Sequence, residues 1–67
     1  MSATGLEIGM TMAEVRNVAS NMRWGTPSTS RMQVHGIGTI ETWVYDRGRS
    51  LVTVTFTNGC VTLIWDF

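Results

Sequence analysis

The chain has 67 residues, five basic and five acidic groups, one histidine, one cysteine and a formal net charge of zero. That length makes one domain, residues 1–67, which buries only roughly 60% of the surface it exposes when unfolded. Charge neutrality speaks against nucleic acid and anionic membranes as partners, and a lone cysteine excludes an internal disulfide.

From the N-terminus, "MSATGLEIG" lacks both the basic start and the apolar centre of a signal peptide. A leader removed upstream would place the protein in the periplasm or at the outer membrane. A native start at Met1 would place it in the cytoplasm. No apolar run approaches the roughly 18 residues needed to cross a bilayer.

The first element is announced by "IGMTMAEV", Ile8 to Val15. Thr11 and Glu14 have the spacing of a capping box, in which each side chain satisfies the other's backbone N–H. Met10 and Val15 flank them as a hydrophobic staple, and Gly9 lets the chain bend before the cap. A helix is predicted from about Met12 to Arg23 or Trp24. Met12, Val15, Val18, Ala19 and Met22 form its apolar stripe. Gly25 is the expected left-handed residue after it, and Pro27 stops continuation. "STSRMQVHGIGT" then reads as a polar connection, with a short edge strand near Met32–His35 as an optional addition.

The second half reads as strand throughout: "TIETWVY" (Thr39–Tyr45), "SLVTVTFT" (Ser50–Thr57) and "CVTLIWDF" (Cys60–Phe67) are rich in β-branched and aromatic residues. Asn58-Gly59 is a strong two-residue hairpin signal. Regular pairing around it sets Phe56 opposite Val61, Val54 opposite Leu63 and Val52 opposite Trp65. A turn at Arg47-Gly48 sets Trp43 opposite Val52. One face then carries Trp43, Tyr45, Val52, Val54, Phe56, Val61, Leu63 and Trp65, and the helix must cover it. The fold expected is α+β: an N-terminal helix packed on one face of a three-stranded antiparallel meander sheet, with a short extra edge strand or an N-terminal helical turn around "ATGLEI" as variants.

The opposite face is threonine-rich and nearly uncharged, and nothing in the chain is left to cover it. Its residues Ile40, Thr42, Val44, Leu51, Thr53, Thr55, Thr62 and Ile64 form the expected protein-binding surface; Cys60 shares the face. A core this small supplies about 3–5 kcal/mol, so a partner protein or self-association, with a dimer as the first expectation, is the natural supplement. All five cations are arginines, a residue enriched at interfaces where lysine is depleted.

Reactive groups are sparse. His35 falls in a loop, and Cys60 beside a turn has no basic sequence neighbour to lower its pKa. Together they are too few ligands for a structural zinc. Glu41, Asp46 and Asp66 are explained by strand and turn positions. "HGIGT" holds a G-x-G without the strand–helix context of a phosphate cradle. The expectation is no catalytic residue, no metal and no cofactor, hence not an enzyme.

Gly9-Met10-Thr11, Glu14-Val15, Gly25-Thr26-Pro27, Trp43-Val44-Tyr45 and Phe56-Thr57-Asn58-Gly59-Cys60-Val61, in that order, resemble the SmpA/OmlA (BamE-like) domain of outer-membrane lipoproteins. The likeness spans about residues 6 to 65. It implies helices on one face of a three-stranded antiparallel sheet, the architecture also seen in each half of the β-lactamase-inhibitor protein. It further implies a non-catalytic, protein-binding role in outer-membrane assembly. The chain departs from the family in lacking a lipobox cysteine and in having one full helix where two are frequent. A free-standing small binder or inhibitor of phage or mobile-element type, acting by surface occlusion, is the alternative.

Overall fold

The computed structural model describes residues 5–66. One helix, α1 (Met12–Asn21), is followed by four strands, β1 (Ser28–Val34), β2 (Gly38–Asp46), β3 (Leu51–Thr57) and β4 (Cys60–Asp66). The strands form a single antiparallel sheet in the order β1-β2-β3-β4. This corrects the three-stranded expectation. "STSRMQV" is a full seven-residue strand, paired with β2 from Ser28 opposite Val44 to Val34 opposite Gly38. It carries no apolar alternation because almost nothing on it is buried: only Val34 is half-buried. Backbone pairing holds it, helped by polar bonds from Arg31 to Glu41 and from Thr39 to Gln33, so the periodicity that betrays a half-buried strand is missing. Of the "ATGLEI" segment, Gly5–Ile8 carries no helix and the rest lies outside the described residues.

The helix starts as its sequence dictates. The Thr11 hydroxyl accepts from the Glu14 N–H at 3.2 Å, and Glu14 Oε1 accepts from the Thr11 N–H at 3.1 Å. Its end differs from expectation. The helix stops at Asn21, and the left-handed residue is Arg23 (φ 58°), two positions before Gly25. The Trp24 N–H reaches back to the Ala19 carbonyl and the Arg23 N–H to that of Ser20, the Schellman pattern that satisfies the last carbonyls. Closing the helix there turns Trp24 into the core, where it is 8% exposed. Met22, counted in the apolar stripe, is instead exposed.

The core lies between α1 and the sheet. Val15 and Ala19 from the helix meet Trp43, Tyr45, Val52, Val54, Phe56 and Val61, with Leu6 and Trp24 closing the ends. Trp43 packs tilted on Phe56 with ring centroids 4.6 Å apart, and Trp24 on Tyr45 at 5.4 Å; tilted pairs of this kind add about 0.5–1.5 kcal/mol beyond burial.

Two registers depart from the sequence reading. The β2–β3 connection is a four-residue loop, Arg47 to Ser50, closed by the Arg47 N–H to the Ser50 carbonyl. Trp43 therefore faces Val54, not Val52, and Tyr45 faces Val52. The slip is an even number of residues, so the face is unchanged. In β4 the change is larger. Asn58 (φ 50°) and Gly59 (φ 89°) form the tight turn, and Phe56 faces Val61 as expected. A bulge then intervenes, so that Thr55 faces Leu63 and Val54 faces Ile64. Thr62 is the extra residue, its hydroxyl 2.9 Å from that of Thr57. One inserted residue reverses the side to which all later side chains point.

Candidate functional site

The open side of the sheet is the surface that the sequence singles out. β2 and β3 deliver Ile40, Thr42, Val44, Leu51, Thr53 and Thr55 to it, all at least partly exposed. Thr62 sits at the bulge and stays on this side, bonded to Thr57. Ile64 does not belong there. The bulge turns it inward, where it packs against the core opposite Val54.

The same bulge adds residues that sequence reasoning placed in the core. Leu63 and Trp65 are 45% and 51% exposed, beside Thr55 and Thr53. Met32, on β1 opposite Ile40, is also exposed. Across the four strands the rows read Met32–Ile40–Thr57–Cys60, Ser30–Thr42–Thr55–Leu63 and Ser28–Val44–Thr53–Trp65. All twelve positions are uncharged. No sequence signal marks the bulge: strict alternation exposes Ile64 and buries Trp65, and nothing in "LIWD" favours that over the reverse.

The helix side has a second feature that sequence reading missed. Beside α1, the exposed residues Thr29, Arg31 and Gln33 of β1 extend the helix side of the sheet as a shelf. Between shelf and helix runs an open groove of ≈ 910 Å³. One wall is Arg16, Ala19 and Ser20 of α1 with Arg23 just past its end; the other is Thr29, Glu41, Trp43 and Tyr45. Glu41 is tied on both oxygens. Oε1 accepts from Arg31 Nε at 3.2 Å and Oε2 from Trp43 Nε1 at 2.8 Å. The Trp43 hydrogen bond, then the bond to and charge of Arg31, hold the Glu41 carboxyl below its ordinary 4.5 despite its burial. Arg16 lies over the Trp43 ring, 5.4 Å from its centroid, a cation–π contact. Burial raises the Tyr45 hydroxyl above its ordinary 10.0, with the charge of Arg16 acting the other way. Among the described residues the Arg23 side chain makes no ion pair or hydrogen bond.

His35 is exposed in the β1–β2 turn and Cys60 is an exposed free thiol. Among the described residues there is no cluster of three or more His, Cys, Asp or Glu side chains. No helix among them is long and apolar enough to cross a membrane.

No family model, curated protein or solved structure matches the chain.

Proposed function

We propose that this protein is a non-catalytic protein-binding module whose docking surface is the open sheet face, and that a second copy of the chain is its first occupant. The observation that carries this is the β4 bulge. It turns Leu63 and Trp65 out to water beside Leu51, Ile40 and Val44, although full burial of one such side chain is worth about 1.5–3 kcal/mol. Leu63 and Trp65 keep roughly half their surface in water, and a facing apolar surface would cover it.

Two copies suit each other there. The face has no charge in its three central rows, so superimposing it on itself brings no like charges together. Four strands spaced about 4.8 Å apart and about 23 Å long offer roughly 450 Å² of flat area per copy. A pair hides about twice that before side-chain relief is counted, close to the roughly 1,000 Å² needed for a specific interface. The expected dimer is weak and concentration-dependent. The order of motifs shared with the SmpA/OmlA domain points to the same kind of role, in envelope assembly.

Sedimentation from micromolar to submillimolar concentration should show monomer passing to dimer. Leu63→Arg, Thr55→Arg and Val44→Asp should each weaken it while leaving thermal unfolding of the dilute monomer nearly unchanged. A chain that stays monomeric across that range, or association indifferent to all three substitutions, removes the second copy as the occupant of this face.

A further inference from the structure

The outer edge of β1 is the longest uncovered run of backbone in the described molecule. Among the described residues, Ser28–Val34 pairs with β2 on one side and with no strand on the other. The other edge of the sheet is partly closed: the Gly9 N–H donates to the Val61 carbonyl and the Val61 N–H to Met10, both at 2.8 Å, and Thr11 bridges Cys60. β1 carries no proline, bulge or lysine, and the one edge guard within it is a charge. Its single charge is Arg31, at the centre of the strand.

That position decides what kind of strand can be added. A second β1 pairing antiparallel over all seven residues would set Arg31 opposite Arg31, and like charges directly opposite are destabilising. An acidic residue in the same place is favoured. Arg31 points to the helix side, since it reaches Glu41, and its side chain is 68% exposed, leaving most of the guanidinium open. Alternate side chains of an added strand would emerge on that same side, at the mouth of the groove bordered by Thr29, Arg16 and Arg23. Arg16 and Arg23 in the groove and Arg31 at its rim outnumber Glu41, the one acidic residue lining it, so this side keeps a positive excess in a chain whose total charge is zero. Arg23 reaches the groove from a left-handed backbone (φ 58°) at a position where glycine is preferred.

We propose that β1 accepts an extended acidic segment of a partner protein as a fifth strand, with carboxylates on alternate residues meeting Arg31 and the arginines of the groove. Backbone pairing supplies the affinity and the alternate acidic side chains supply the selectivity, as in strand addition generally. This surface is separate from the open sheet face, and the two can be occupied together.

The probe is a capped, fluorescein-labelled seven-residue peptide, Thr-Glu-Val-Glu-Val-Glu-Thr, titrated into the full chain. Controls replace its glutamates with glutamine or N-methylate alternate backbone amides. The expected result is saturable binding that weakens with salt, with amide NMR shifts along Ser28–Val34. Loss of about tenfold or more in affinity is expected for the glutamine peptide, for the N-methylated peptide and for Arg31→Gln combined with Arg23→Gln. Equal binding of the glutamine peptide overturns the charge requirement, and equal binding of the N-methylated peptide overturns strand addition. Absence of binding at millimolar peptide overturns the whole proposal. Shifts confined to Thr53, Thr55 and Leu63 overturn it in favour of the open face. Sedimentation of Leu63→Arg with and without peptide separates the two surfaces, because peptide binding should survive where self-association fails.

Discussion

The two sides of this sheet are made of similar residues and held by opposite means. On the helix side, Trp43, Tyr45, Val52, Val54, Phe56 and Val61 are each no more than 3% exposed, and two tryptophans are fixed by an aromatic partner and an arginine apiece: Trp43 by Phe56 and Arg16, Trp24 by Tyr45 and Arg47. On the open side, Leu51, Leu63 and Trp65 lie between threonines with roughly half their surface in water. The contrast teaches that hydrophobicity alone does not assign a strand residue to a core. Register does, and here one extra residue in β4 decides it.

The largest break in this contrast comes from the covered side. Phe56→Ala should cost about 3–5 kcal/mol, enough to unfold the domain, as circular dichroism will register directly. Next is the junction of the two hairpins. The Asn58 carboxamide accepts from the Thr39 N–H at 3.0 Å and donates to the Ile37 carbonyl at 2.9 Å. A β-carbon on Gly38 (φ 119°) would run into it. Gly38→Ala should therefore cost about 2–4 kcal/mol, backbone strain plus overpacking. Gly36→Ala, also at positive φ but facing open space, should cost only the strain, about 1–2 kcal/mol; urea melts compare the two.

A finer cut separates neighbours in β4. Ile64→Ala removes a side chain packed on the core and should lower stability by about 1–2 kcal/mol, whereas Leu63→Ala should stay within about 0.5 kcal/mol in the dilute monomer. If Leu63 proves the costlier, the bulge is misplaced and the open face loses its apolar members. The smallest effect is in pH. The Glu41 pKa is depressed in the fold, so its contribution is complete above the ordinary 4.5 and drains away as pH falls through that value towards the depressed one. Trp43→Phe removes the largest cause of the depression. It should flatten the acid side of the stability profile and move the Glu41 carboxyl titration, followed by NMR, back towards 4.5.

Much of this was legible before any coordinates. The capping box at Thr11 and Glu14 forms as read, because cap chemistry is local and its geometry leaves little choice. The Asn58-Gly59 turn and six of the eight residues read as the sheet's inner face follow for the same reason. What sequence hid were features without a local signature. β1 is a strand by pairing, not by pattern: every residue but Val34 is exposed, so no alternation marks it. The Thr62 bulge inserts into a run, "CVTLIWD", that satisfies either parity equally well. The four-residue loop after Asp46 is fixed partly by a carboxylate turning back on the Gly48 N–H at 2.8 Å, a bond that two-residue turn logic around Arg47-Gly48 does not anticipate. The groove depends on where a helix axis crosses a sheet, and composition carries no record of that. Of the eight residues read as a protein-binding surface, seven lie on the open side, and the eighth, Ile64, exchanged places with its neighbours at the bulge.

Thr11 belongs to two elements at once: it caps α1 and bridges Cys60 on the last strand. Opening of the first helical turn therefore loosens the start of β4, and the reverse holds too, so the two should exchange their amide protons for deuterium as one cooperative unit. β1 has no such tie to the helix start. In a hydrogen-exchange experiment it should open by itself and earlier than that unit, keeping the strand nearest to solvent ready for company while the rest of the molecule stays shut.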